Sequence, residues 1–258
     1  MPKPIRGILE LIIIIAISFC VYSNTLENGF VYDDSFTIVE NHFIKDWKNL
    51  PDLFNNNYFK WSAELSYRPL VTFSYFIDYS IWGLNPLGYH LSNIFIHIIN
   101  CILIYLFIQQ IVSGNRIVPF LTSIIFAVHP VLTEAVNGIS YREDLIASMF
   151  FLASFILYFK SNHSPLKKGD KGGCSHNQLL IYLSSLLCYF LGLMSKEVAI
   201  TLPILIIIAD ILNGNKFKSI VVPRWRGING VESFVNKILR NYLGFILIVL
   251  GAALMVIL

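Results

Sequence analysis

Residues 91–112 read LSNIFIHIINCILIYLFIQQIV, an apolar run with no Asp, Glu, Lys or Arg in it. As a helix rising about 1.5 Å per residue, such a run spans the roughly 30 Å hydrocarbon layer of a bilayer. Leu145–Phe159, Leu179–Met194 and Val198–Leu212 repeat the pattern, each set off by polar punctuation. Composition points the same way. Hydrophobic residues make up 55% of the chain and charged residues 14%, with a mean hydropathy of +0.64, whereas soluble domains carry about a quarter charged residues. The chain is predicted to be an all-α, polytopic membrane helical bundle.

Working outward from residues 91–112, the spans fall near 7–23, 89–112, 117–137, 144–160, 178–194, 197–213 and 241–258, which makes seven crossings. With the N-terminus cytoplasmic, the inner loops hold most of the basic residues, from Lys3, Arg6 and Arg116 to Lys167, Lys168, Arg224, Arg226 and Arg240. Lys45, Lys48, Lys60, Arg68, Arg142 and Lys196 are left outside. That asymmetry is the positive-inside bias, and it sets the orientation independently of the span count. The formal charge of +3 is too small to suggest a nucleic-acid partner.

Lys3 and Arg6 precede the run Ile8–Tyr22, where Ala16 and Ser18 form only a weak cleavage-like site. Because the run continues through Phe19, Val21 and Tyr22, it reads as an uncleaved anchor. Residues 24–88 form the one sizeable hydrophilic segment and contain Trp47, Trp61 and Trp82 with many Tyr and Phe. This is the composition of a surface lying on a membrane, so short amphipathic helices are expected there. Leu70–Trp82 is short for a further span and carries Asp78. Residues 161–177 are polar and glycine-rich and read as a disordered cytoplasmic insertion. Cys20, Cys101, Cys174 and Cys188 show no metal-ligand or disulfide spacing. The apolar run that stops at Leu258 has no polar cap, which suggests a membrane domain continuing in a longer chain.

Several ionisable groups stand near the outer ends of these spans. Asp33-Asp34 follows the first span by about ten residues. Two adjacent carboxylates there either deprotonate an acceptor hydroxyl, bind a divalent cation, or simply cap a turn. His129-Pro130 and Thr133-Glu134 end the third span, and Tyr141-Arg142-Glu143-Asp144 forms a very short outer loop. Ionisable groups at such depth are expensive and usually face a polar cavity or a partner, although a proline kink and an interfacial salt bridge are the plainer explanations. Lys196, pinched between two apolar runs, either snorkels to the headgroups or points into a cavity beside Arg142. His90 and His97, on one face of the second span, read as interhelical hydrogen-bonding residues.

Taken in order, Tyr32-Asp33-Asp34, Tyr67-Arg68-Pro69-Leu70, Gly83-Leu84-Asn85-Pro86, Gly88-Tyr89-His90, His129-Pro130 with Thr133-Glu134, and Ser195-Lys196-Glu197 make a specific pattern. It resembles the N-terminal membrane region of the transmembrane and tetratricopeptide-repeat-containing O-mannosyltransferase-like family, which includes bacterial relatives and has the C-type glycosyltransferase fold. The likeness covers most of residues 20–213. It implies inverting transfer of a sugar from a polyprenyl-phosphate donor to an acceptor, a protein hydroxyl or a glycan, on the extracytoplasmic face of a membrane, here the bacterial inner membrane. It also implies that Asp33 and Asp34 supply the base, that Arg68, Arg142 and Lys196 face the phosphate, and that His129, Glu134 and Glu143 line the substrate site. A divalent cation is compatible with these residues without being required. No repeat with a period of about 34 residues occurs, so the tetratricopeptide part of the pattern is missing.

Two other classes compete with an enzyme. One is a non-catalytic membrane module or scaffold of the same fold. The other is a transporter, which calls for broken helices with charged groups at mid-membrane rather than near the outer ends. Topology is open to a direct check. A cysteine placed at position 56 is expected to react with an impermeant reagent from outside, and one at position 177 only after permeabilisation. Labelling of both from one side would contradict the orientation.

Overall fold

The computed structural model describes residues 3–55, 57–62, 66–112, 114–163, 176–212 and 242–251, with helices and turns but no strand among them. Helix α1 (Lys3–Tyr22) is prolonged by a 3-10 turn, Ser23–Glu27. Four short elements follow: a wide π-type turn at Ser35–Val39, 3-10 turns at Phe43–Lys45 and Trp47–Phe54, and α2 (Tyr58–Trp61). Then come α3 (Pro69–Trp82), α4 (Pro86–Ile111), α5 (Ile117–Ala127), α6 (Thr133–Asn137), α7 (Arg142–His163), α8 (His176–Leu193), α9 (Leu202–Leu212) and α10 (Tyr242–Gly251). The core of the expected 161–177 insertion, the loop before residue 242 and the apolar end at 252–258 lie outside the described residues.

Of the seven expected crossings, three helices among the described residues are long and apolar enough to span a bilayer: Arg6–Glu27, Pro86–Ile111 and Arg142–Ser161. The expected span 117–137 is not one straight helix; Ile117–Ala127 and Pro130–Asn137 meet at 49°. Pro130 has no N–H to continue the ladder and pushes His129 into extended geometry, with φ −70° and ψ 124°. The expected span 197–213 likewise opens with a 3-10 turn, Glu197–Thr201, before the short α9.

Helix α4 is the central element, packing on α1, α5 and α7, while α7 also pairs with α8. Its start is clear in the sequence: Asn85 accepts the Leu87 N–H at 3.2 Å, and Pro86 takes the first helical position. Polar groups join the helices where lipid offers none. Glu10 accepts the Tyr105 hydroxyl at 2.6 Å, His90 meets Thr25 at 3.2 Å, His97 meets the Ala127 carbonyl at 3.3 Å, and Asn100 donates to Leu145 O at 2.9 Å. Asp210 accepts hydroxyls from Tyr158 at 2.9 Å and Tyr242 at 2.6 Å, joining α7, α9 and α10.

The aromatic segment before α4 has a core of its own. Ile38, Phe43, Ile44, Leu53, Tyr58, Val71, Tyr75 and Phe76 pack with Tyr89 of α4 and with Ile139 and Ile146. Phe36, Trp47, Phe54 and Phe59 remain exposed. Trp82 lies so close over Gly88 that a Cβ there would stand 2.1 Å from its ring, and this fixes the α3–α4 corner.

At that corner Arg142 is only 1% exposed and ion-paired with Asp78. Its Nε donates to Asn93 at 2.6 Å, Nη1 to Ser74 at 3.2 Å and Nη2 to the Tyr89 carbonyl at 3.0 Å, and the guanidinium lies 4.9 Å from the Tyr75 ring centre. Removing one partner of a buried pair strands the other charge, typically at about 3–5 kcal/mol. Arg142→Ala is expected to lower the thermal unfolding midpoint of the solubilised protein sharply, and Asp78→Asn in that background to recover part of the loss. An Arg142→Ala protein as stable as the parent would show that the pair is dispensable.

Candidate functional site

The segment after α1 presents its two adjacent acids in different ways. Asp34 is fully buried, with Oδ2 accepting the Val31 N–H at 3.0 Å and Oδ1 accepting the Ser140 N–H at 2.8 Å. Both carboxylate oxygens therefore hold backbone, one in its own turn and one in the turn that leads into α7. Asp33 is exposed, and no hydrogen bond or ion pair to its carboxylate occurs among the described residues. Tyr32, just before it, has φ +49°, a conformation uncommon outside glycine and concentrated where structure serves function. Phe30 packs edge-on against Tyr89 at 5.5 Å and anchors the loop to α4.

The turn that receives Asp34 is held on every side. Tyr75 donates to Ile139 O at 3.0 Å, and Asn93 donates to Val136 O at 3.3 Å and Gly138 O at 3.0 Å. Tyr141 folds over Gly138, where a Cβ would stand 2.5 Å from the ring. The Glu134 carboxylate above all, then partial desolvation, then Asp33, Glu143 and Asp34 push the Tyr141 phenol above its ordinary pKa. Electrostatically, Tyr141 thus gathers the acid pair, Glu134 and Glu143 into one neighbourhood.

Glu143 also belongs to a second group. Arg68 Nη1 donates to its Oε1 at 3.0 Å, and Lys196 Nζ lies 3.7 Å from the same oxygen. Lys196 further contacts Asp144 at 2.6 Å, and Arg68 contacts Glu197 at 3.8 Å. The backbone explains how residues so far apart in the chain converge. The Leu70 N–H reaches the Met194 carbonyl at 3.3 Å, and the Arg68 N–H donates to the Tyr58 hydroxyl at 3.2 Å. Both cations keep 20% of their side-chain surface exposed. Glu143, 8% exposed, is the residue common to the acid side and the cation side.

Arg142, expected to face the phosphate, is 1% exposed beneath the turn with its charge matched by Asp78. His129 is exposed, and its Nδ1 accepts the Val131 N–H at 3.2 Å, capping the bend. No hydrogen bond or ion pair ties it to the acid pair among the described residues. Glu134 is exposed in the first turn of α6. Tyr141 and Asp144 were noted in the sequence only as members of a short polar segment, and Asp78 only as an interruption of an apolar run; their partners Glu134, Lys196 and Arg142 appear only in the fold. Among the described residues no group of three or more His, Cys, Asp or Glu is arranged to hold a metal ion.

No family model and no solved structure matches the chain. Curated proteins do. It is 32% identical over 207 residues to the Caenorhabditis elegans protein O-mannosyl-transferase F38B6.6, covering 78% of this chain and 29% of that protein. The Drosophila melanogaster protein O-mannosyl-transferase Tmtc3 is 31% identical over 226 residues, covering 78% and 24%. The human protein O-mannosyl-transferase TMTC2 is 33% identical over 210 residues, covering 79% and 24%. The chain thus spans about a quarter of the length of these relatives. With the acid loop, the Arg68 segment and the Lys196 segment brought around one turn, it belongs to the transmembrane and tetratricopeptide-repeat-containing O-mannosyltransferase-like family.

Proposed function

We propose that this chain carries the catalytic membrane region of an inverting glycosyltransferase that moves a sugar from a polyprenyl-phosphate donor to a protein or glycan hydroxyl on the extracytoplasmic face. One observation carries the reading: Asp34 spends one oxygen on the Val31 N–H of its own turn and the other on the Ser140 N–H, while the neighbouring Asp33 is exposed and free to take a proton. The acceptor hydroxyl attacks the anomeric carbon from the face opposite the phosphate. Asp33 removes the hydroxyl proton as the new bond forms, and the bond to the phosphate oxygen breaks with its electron pair leaving on polyprenyl phosphate. A positioned base typically contributes about 10²–10⁴ in rate. Arg68 and Lys196 are the cations for the leaving phosphate, which a charge-assisted hydrogen bond and a fixed ammonium stabilise as negative charge develops. Glu134 and Tyr141 border the acceptor side.

The same proposal includes seven crossings with the N-terminus cytoplasmic and residues 24–88 outside. It draws on the loop charge asymmetry and on the membrane helices. The relatives are animal proteins, so they lend no support to the bacterial inner membrane as the location. A second reading, a non-catalytic scaffold, is favoured by one feature: both candidate phosphate cations are already paired with carboxylates.

Turnover distinguishes the two. With a polyprenyl-phosphate sugar and an acceptor supplied to detergent-solubilised protein, Asp33→Asn is expected to leave the fold intact and slow transfer by about 10²–10⁴. Asp34→Asn is expected to act differently. It sets an amide N–H₂ against a backbone N–H, and so should both slow transfer and increase proteolysis within residues 28–40. Undiminished turnover by Asp33→Asn would remove the base from Asp33, whereas no transfer by the parent protein under these conditions would make the scaffold reading lead.

A further inference from the structure

Arg68 and Lys196 face three carboxylates: Glu143, Asp144 and Glu197. A cluster so composed carries net negative charge and repels a phosphate. If these cations receive the donor, one carboxylate must give way. Exposure decides which. Glu197 is 73% exposed at 3.8 Å and Asp144 is 46% exposed, so water screens both. Glu143 is buried, and a single one of its oxygens lies between the two cations. That oxygen holds the position a bridging phosphate oxygen would take. A second observation points to an anion with more oxygens than this arrangement supplies. The Arg68 Nε is buried and has no hydrogen-bond partner among the described residues, although a guanidinium offers its Nε and Nη hydrogens together to a bidentate oxyanion.

We infer that Glu143 is an internal substitute for polyprenyl phosphate: its carboxylate holds Arg68 and Lys196 together and is displaced as the phosphate gains charge on leaving the sugar, so that it sets the affinity for polyprenyl phosphate and rejects weaker anions. This rests on the reading of Arg68 and Lys196 as the phosphate side. A carboxylate brings one charge to the pair. The donor's phosphodiester also brings one charge, but the polyprenyl monophosphate it becomes on transfer brings more charge and a third oxygen, with the idle Arg68 Nε as a further donor; a carboxylate-bearing lipid would exchange like for like and gain nothing. The cations stay paired in both states, so neither is left buried without a counter-charge.

The test is binding of a short-chain polyprenyl monophosphate, and of the neutral polyprenol of equal length, to the solubilised protein. Glu143→Gln keeps the shape and removes the competing charge. It is expected to tighten the phosphate by about tenfold, within the range of one charge-assisted hydrogen bond, and to leave polyprenol binding unchanged. Arg68→Ala and Lys196→Ala are expected to weaken the phosphate in either background. If those two variants bind it like the parent, the phosphate seat itself is misplaced and the inference falls with it. If they weaken binding while Glu143→Gln binds the phosphate no more tightly, or tightens phosphate and polyprenol alike, the seat stands but Glu143 is only a structural clamp. Should Glu143→Gln not fold, Glu143→Asp draws the carboxylate back by one methylene. A smaller, phosphate-specific tightening is then expected, and none would refute the inference.

Discussion

Arg142 heads α7 with its guanidinium out of reach of water, and a charge held there is tolerable only because Asp78, Asn93, Ser74, the Tyr89 carbonyl and the Tyr75 ring enclose it. These partners come from α3 and α4, so the requirement to neutralise one ion fixes three helices against one another. The same residues then serve the turn above. Asn93 accepts from Arg142 and donates to two carbonyls of the 136–139 turn, and Tyr75 donates to a third. Asp34 closes the arrangement from outside through the Ser140 amide. The acid loop can be placed accurately because the surface receiving it is anchored from below.

Burial divides work between chemically similar neighbours. Asp34 is enclosed and spends its carboxylate on backbone hydrogen bonds, whereas Asp33 keeps a lone pair available for a proton. Arg142 is enclosed and ion-paired with Asp78, whereas Arg68 and Lys196 retain partial exposure. A group whose ionised form is fully satisfied inside the fold gains nothing by reacting. Reactivity collects at the residues left one partner short.

Much of this was legible in the chain. The apolar runs that became α1, α4 and α7 follow from hydropathy alone, and the break at His129-Pro130 follows from a missing N–H and a steric preference for extended geometry. Helix α4 starts at Pro86, three residues before the expected span at 89, because Asn85 caps it and Pro86 fits the first helical position. The roles of Arg142 and Asp78 were not legible. Arg142 stands in a short polar loop and looks like a residue open to substrate, and Asp78 looks like a flaw in an apolar helix. Only their pairing across α3 and α7 explains both. The aromatic residues of 24–88 divide between a real core and an exposed face, a distinction that composition does not carry.

By itself, the sequence determined that this is a helical membrane protein and where its longest apolar helices lie. These properties are local: hydropathy, caps and proline sterics act within a few residues, so a linear reading captures them. Tertiary structure decided which ionisable groups meet. That Asp34 holds Ser140, that Arg142 neutralises Asp78, and that Arg68 and Lys196 share one oxygen of Glu143 depend on contacts between segments distant in the chain. Their physical basis is the cost of burying an unpaired charge, which is assessed only once the chain has packed.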